Sequence, residues 1–332
     1  MLTPPYVLFI GDARDQLAAK TAAGVGYWRP DRCVGQIRLD GCQAKFELPV
    51  MTVADACAAG ARTLIVGLAN AGGTISENWL PTLTQALAAG LDIASGLHQR
   101  LTDIPSLRAA AAASGCKLID VRHPQQTFSV GTGARRPGRR LLTVGTDCSV
   151  GKMYTALAVE RELKQRGIAA DFRATGQTGI FIAGAGVSID AVVADFISGA
   201  VEWLAPANAP DHWDVIEGQG SLFHPSFAGV SLGLLHGAQA EALVMCHEPT
   251  RTHMRGLPHQ PMPSLNDCIA ANEAAARLTR PDARCIGVAV NTSGLPAAAA
   301  ADTLEQLADA SGLPCIDPVA GSVAPLVERL LA

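Results

Sequence analysis

The chain is poor in charge, has no Cys-x-x-Cys pair, and opens with an apolar run too short to cross a bilayer. Charged residues make up only 17% of its 332 positions and hydrophobic ones 48%. That balance excludes disorder and favours a packed α/β protein, long enough for two domains with cores of their own. Basic and acidic residues nearly cancel, leaving a net charge of −4. Nothing in the charge balance therefore calls for nucleic acid or an anionic membrane as a partner. The nine cysteines are an odd number with no repeated spacing. A structural zinc site and an oxidised framework are excluded, leaving small buried thiols in a reducing cytoplasm. The opening MLTPPYVLFIGDARD meets Asp12 directly after its apolar stretch, so it reads as a first buried strand, neither signal peptide nor spanning helix. Internal repeats are also lacking.

What is present is an alternation of strands and helices. YVLFI (6–10), TLIVGL (63–68), LDIASGLH (91–98) and CKLIDVR (116–122) are β-rich runs, with a helix ending at Gly90 and an Ala-rich helix at 105–114 between them. This spacing predicts a parallel sheet with helices on both faces, a Rossmann-like domain over residues 1–130. RHPQQTFSVGTGARRPGRR (122–140) has no apolar period and carries the boundary, with a linker at 131–140. Its Arg135, Arg136, Arg139 and Arg140 are within reach of an anionic ligand or form a solvated linker. LLTVG then opens a second domain, 141–332, with helices at about 151–166, 190–204 and 266–279 and strands at IAADFRATG, WDVIEGQG, EALVMCHEP, CIGVAVNTSG and LPCIDPV. The fold class is α/β, a Rossmann-like domain followed by a P-loop NTPase-like domain with a mainly parallel sheet.

GTDCSVGKM (145–153) lies between a predicted strand and a predicted helix, the context a phosphate-binding loop needs. Its glycines let backbone N–H groups converge on phosphate oxygens, and Lys152 supplies a cation beside the helix N-terminus. Gly145, Thr146, Asp147, Cys148, Ser149, Val150, Gly151, Lys152 and Met153 are therefore the expected phosphate-binding residues. The loop departs from the common pattern at Met153, where such loops place a magnesium-binding hydroxyl. Thr155 lies about 200° further around a helix of 3.6 residues per turn and does not replace it. Phosphoryl transfer relies on a metal that bridges the phosphates, so this loop suits holding a phosphate better than transferring one.

The loop resembles that of dethiobiotin synthetase and its relatives. DVIEGQGSL and GVAVNTSG are similar to downstream segments of the same proteins. Over the whole chain, KTAAGVGYW, GLANAGG, DFRATGQTG and DAVVADFISGAVE resemble a family of two-domain P-loop proteins linked to D-glutamate N-acetyltransferase activity. That resemblance implies acetyl-CoA as co-substrate, a small acidic D-amino acid as acceptor and a role in D-amino-acid catabolism; no metal is expected because of Met153, with Asp147 and Glu217 left open as residues able to hold one. A MgATP-dependent ligase or kinase and a non-catalytic CoA- or nucleotide-binding protein stay open as alternatives, as does a homo-oligomeric state.

Acetyl transfer to an amine needs a base, donors for the developing oxyanion, and cations for the acceptor's carboxylates. Glu217, at the end of WDVIE beside the loop strand, is the first choice of base; the alternative is a polar strap for the GQG turn. His224 is the second choice, since its pKa suits proton transfer near neutrality. Asp195 is a third candidate, while Asp190, about 140° away on the expected helix, reads as a cap. Arg173, Arg251 and Arg255 follow strand ends and are expected, with Gln177, to meet the acceptor. Cys148 lies near a helix N-terminus, where a thiol's pKa is lowered, and is a conceivable acyl acceptor. Cys246, His247 and His253 cluster in CHEPTRTH, but adjacent strand residues face opposite ways, which argues against a metal site.

Overall fold

The computed structural model describes residues 2–124 and 126–332. The chain divides into two compact units, residues 1–125 with 177–188, and residues 126–176 with 189–332. No helix among the described residues is long and apolar enough to cross a membrane.

The first unit is built on a five-stranded parallel sheet of order β2-β1-β3-β4-β5. Its strands are β1 (Tyr6–Gly11), β2 (Cys33–Arg38), β3 (Thr63–Val66), β4 (Asp92–Ser95) and β5 (Leu118–Asp120). Helices α1 (Lys20–Trp28), α2 (Val53–Ala58), α3 (Leu80–Ala88) and α4 (Pro105–Ser114) connect them. Every residue of β1 and β3 is buried, as expected for central strands covered on both faces. The α2 helix starts at a capping box in which Thr52 and Asp55 satisfy each other's backbone N–H.

The second unit carries a six-stranded parallel sheet of order β11-β10-β9-β6-β8-β7. Its strands are β6 (Arg139–Gly145), β7 (Ala170–Arg173), β8 (Trp213–Ile216), β9 (Ala242–His247), β10 (Arg284–Val290) and β11 (Cys315–Ile316). Helix α5 (Lys152–Gln165) buries Thr155, Ala156, Val159 and Leu163, a stripe at helical spacing. The remaining helices are α6 (Gln177–Ala183), α7 (Ile197–Leu204), α8 (Ala228–Ala238), α9 (Leu265–Arg277), α10 (Ala297–Ser311) and α11 (Ala324–Leu331).

Three of these differ from the sequence expectation. The helix expected over 190–204 is two single 3₁₀ turns, Ile189–Ala191 and Ala194–Phe196, before α7 begins at Ile197. Helix α6, not expected at all, is counted with the first unit, where Thr178 meets Thr21 at 3.3 Å and Ile182 O accepts from Arg29. Helix α8 was also unforeseen, because Gly229, Gly233 and Gly237 make AGVSLGLLHGA a poor helix former. Gly233 and Gly237 serve close approach. A Cβ on Gly237 would lie 2.4 Å from Ser198 O, and one on Gly233 2.6 Å from Ile197 Cγ2, so α7 packs directly on that face.

Gly218 plays the same part for the sheet. A Cβ there would sit 1.7 Å from Thr143 O and 3.0 Å from Lys152 Cδ, while its N–H donates to Thr143 Oγ1 at 2.9 Å. Only a glycine lets the chain leave β8 pressed against β6. Gly218→Ala is expected to lower stability by about 2–3 kcal/mol through overpacking; urea denaturation of the purified variant checks this.

Candidate functional site

Strand β6 is the central element of the site, and the chain turns from its last residue, Gly145, into the phosphate loop. Thr146 and Asp147 are fully buried. Thr146 N donates to Cys246 O at 3.0 Å and its hydroxyl lies 3.1 Å from His247 Nδ1, so the loop's first turn is anchored to β9. Ser149 and Gly151 have φ of 55° and 104°. The second value suits glycine and sets up the entry into α5. Lys152, the first residue of that helix, is buried; its ammonium donates to Asp147 O at 2.8 Å, and burial pushes its pKa down.

The Asp147 carboxylate holds the loop to the segment after β9. Its Oδ1 accepts from Cys148 N at 2.6 Å, and its Oδ2 accepts from Arg251 Nη1 at 2.6 Å and from Arg255 N at 2.8 Å. Arg251 further donates to Cys148 O, Ser149 O and Glu248. Arg251 is therefore a clamp on the phosphate loop, with its guanidinium occupied by the protein itself. Arg255 differs: among the described residues its guanidinium has no hydrogen bond or ion pair, and its charge is felt by Cys148.

Glu217 is buried directly after β8, and its Oε2 accepts from Thr175 N at 3.0 Å and Gly176 N at 3.1 Å. Burial raises its pKa to about 7, against the lowering effect of those two N–H groups and of Lys152. A carboxylate so placed is oriented by the backbone and poised to take a proton near neutrality. The shell around it is polar and buried. Thr175 donates to Glu217 O, Gln219 to Thr175, and Ser221 Oγ to Thr146 O.

Other expected site residues lie elsewhere. Arg173 Nε donates to Asp214 Oδ1 at 2.7 Å. Asp214 pairs in register with Arg140, near the start of β6, whereas Gly145 closes the opposite end. Arg173 thus reaches back along the sheet, drawn by a buried carboxylate, and not to the loop. Asp195 is exposed on its 3₁₀ turn and makes no hydrogen bond or ion pair among the described residues, because the helix that was to orient it is absent there. Gln177 opens α6 in the first unit, with its side chain against Gly96. His224 does lie beside the loop, but Ser226 N donates to its Nδ1, which leaves Nε2 to donate to Arg255 O. Both ring nitrogens are engaged with backbone, so His224 holds two turns together. Cys148 also reverses expectation: burial outweighs Lys152 and raises its pKa, which removes the thiolate an acyl acceptor needs.

Asp147, Cys148 and His224 bring ligand-type atoms within 4.8 Å of one another. The Asp147 oxygens and His224 nitrogens already take part in the hydrogen bonds described. The hydroxyl of Thr155 donates to Gly151 O at 3.0 Å, inside the helix, so it does not stand in for the one lost at Met153. The residue that sequence reading undervalued is His247, weighed only as a metal ligand. It ends β9 next to the loop, and burial holds its imidazole below its ordinary pKa. The signal was its position at the C-terminal end of a strand flanking the loop strand.

Arg251→Ala removes the only side-chain cation bonded to the buried Asp147 carboxylate among the described residues. The variant is expected to lose about 2–4 kcal/mol of stability and to bind phosphate-bearing ligands more weakly. Thermal melts with and without pyrophosphate read both effects.

Comparison with known proteins agrees with this architecture. Residues 34–124 match the family description "Domain of unknown function (DUF1611_N) Rossmann-like domain", and residues 127–327 match "Domain of unknown function (DUF1611_C) P-loop domain". A Tritonibacter scottomollicae protein named D-glutamate N-acetyltransferase is 52% identical over 332 residues, 100% of both chains. A Pseudoalteromonas protein of the same name is 49% identical over 329 residues, 99% of both. The crystal structure of a DUF1611 family protein from Anabaena variabilis is 32% identical and superposes with a TM-score of 0.88 over 99% of both chains. With a phosphate loop at the end of β6 and matches to both of its domains, the chain belongs to the DUF1611 family.

Proposed function

We propose that the protein is an N-acetyltransferase that moves the acetyl group of acetyl-CoA to the amine of D-glutamate, in the breakdown of D-amino acids. The observation that carries the reading is Glu217: a buried carboxylate with its pKa raised to about 7, beside a phosphate loop without a hydroxyl at Met153. The two relatives named for this activity, similar from end to end, support the same conclusion.

The residues divide the work as follows. The backbone of 145–152 and the Lys152 ammonium suit a CoA phosphate, and Thr155, turned inward, does not supply the magnesium-binding hydroxyl that such loops carry where this one has Met153. The amine must be unprotonated to attack the acetyl carbon; a C–N bond forms, the C–S bond breaks, and CoA leaves as thiolate. Glu217 accepts the proton released from nitrogen at its Oε1 edge, since Oε2 is held by Thr175 N and Gly176 N. The unpaired guanidinium of Arg255 meets a carboxylate of the acceptor.

Because Glu217 acts as a base, it must be ionised. Its raised pKa means that the ionised fraction rises with pH through about 7 and, below the separate limb set by the acceptor's own ammonium, gives kcat/KM a rising limb there. Glu217→Gln is expected to lower kcat by roughly 100-fold or more and to abolish that limb, with acetyl-CoA binding retained. An unchanged pH profile in this variant removes Glu217 from the role. Lys152→Ala should raise the KM for acetyl-CoA, and Arg255→Ala the KM for D-glutamate, each leaving the other substrate's KM within about threefold. Calorimetric titration with acetyl-CoA, CoA and ATP, with and without magnesium, tests the reading as a whole. Metal-independent CoA binding is expected; tight magnesium-dependent ATP binding without CoA binding overturns it.

A further inference from the structure

The end of the second unit's sheet away from the phosphate loop holds a feature that acetyl transfer does not use. Where β6, β8, β9 and β10 begin, a cleft of about 800 Å³ opens, within the size range of small-molecule sites. Arg139, Trp213, Ala242 and Arg284, each at the first residue of its strand, contribute to its walls. Five arginines line it against two carboxylates, Glu241 and Asp282, in a chain whose net charge is negative.

These arginines are not equivalent. Arg139 is stacked over the Trp213 ring at 4.2 Å and paired with Glu241 at 2.7 Å. Arg280 is paired with Glu241 and Asp282. Arg136 donates to Ala205 O and Gly237 O and lies 3.7 Å from Glu202. Those three are held in place by the fold. Arg135 and Arg284, by contrast, are exposed, and among the described residues neither guanidinium has a hydrogen bond or ion pair. Both acids of the cleft are already shared among Arg139 and Arg280, so no carboxylate of the wall is left for the other two. Two unneutralised forks thus line the same cleft as three arginines fixed by the fold. Trp213, covered by Arg139 and only 1% exposed, offers no face for a nucleobase.

We propose that this cleft is a second anion site that binds a small polyanion, a ligand with at least two carboxylate or phosphate groups, recognised by charge and by the bidentate forks of Arg135 and Arg284. The site lies at the end of β6 opposite the phosphate loop and does not depend on the acetyltransferase reading.

The test is calorimetric titration of the full chain with citrate and, separately, with pyrophosphate, the two probes distinguishing carboxylate from phosphate ligands. Lys152→Ala, in which the phosphate loop has lost its cation, is compared with the same variant carrying Arg135→Ala/Arg284→Ala. The expected result is one saturable site per chain in Lys152→Ala, weakened at least tenfold when both arginines are removed, for one probe or both. Arg135→Lys/Arg284→Lys in the same background, which keeps the charge and loses the forks, should fall between. The proposal is overturned if neither probe binds Lys152→Ala with a saturable stoichiometry, or if removing both arginines leaves that binding unchanged. Both residues are exposed, so the variants should melt with Lys152→Ala; where the variant lacking both arginines is unstable, Arg284→Ala alone in the same background is read against the same two outcomes.

Discussion

One buried carboxylate organises the candidate site. Asp147 accepts from the N–H of Cys148 within its own loop, and from Arg251 and the N–H of Arg255 in the segment after β9. Through Arg255 O the same network reaches His224, and through His224 Nδ1 it reaches Ser226. A carboxylate with no exposed surface is costly unless its lone pairs are filled. Here each oxygen is filled from a different stretch of chain, so the loop cannot settle without the 251–255 and 224–226 turns. The charge therefore gives geometric definition to a region made of loops.

The second constraint is backbone proximity. The chain at Gly218 passes so close to Thr143 that no side chain fits, and this approach sets Glu217 next to the loop. Gly176, whose N–H holds the Glu217 carboxylate, would carry a Cβ 3.2 Å from Oε1 and 2.6 Å from Gln219 Nε2. Small residues on both sides let a carboxylate be buried beside backbone donors. Burial then outweighs those donors and lifts the pKa to about 7, and the result is a group that changes charge near neutrality. Orientation and basicity thus come from the same packing.

The two strand ends of the second sheet handle charge in opposite ways. At the loop end, Lys152 is buried and folded onto Asp147 O, and Arg251 is consumed by the loop's own groups. At the other end, Arg140 is buried with Asp214 and bonded to four carbonyls, while Arg135 and Arg284 stay unpaired among the described residues of the cleft. Arg173 shows how the competition is decided. It ends β7, where a ligand contact was expected, yet Asp214 is nearer, fully buried and in need of donors. A partly exposed arginine turns to the carboxylate that cannot reach water.

Local sequence determined the elements whose signals are local. The buried strands announce themselves as short β-branched runs, and the phosphate loop by glycines and a lysine between a strand and a helix. The missing hydroxyl at Met153 needed no structure to be seen. The position of Glu217, an acid closing a strand beside the loop strand, was legible too. Tertiary structure decided what each polar side chain does, because that depends on which partner burial brings nearest. Arg251 became a clamp, His224 a tie between turns, and Cys148 a half-buried thiol with a raised pKa, against the bare helix-terminus argument. Helix α8 belongs to the same class: its glycines speak against a helix until α7 is laid across them. Periodicity and spacing are properties of a segment. Desolvation and close approach are properties of pairs, and pairs exist only once the chain has folded.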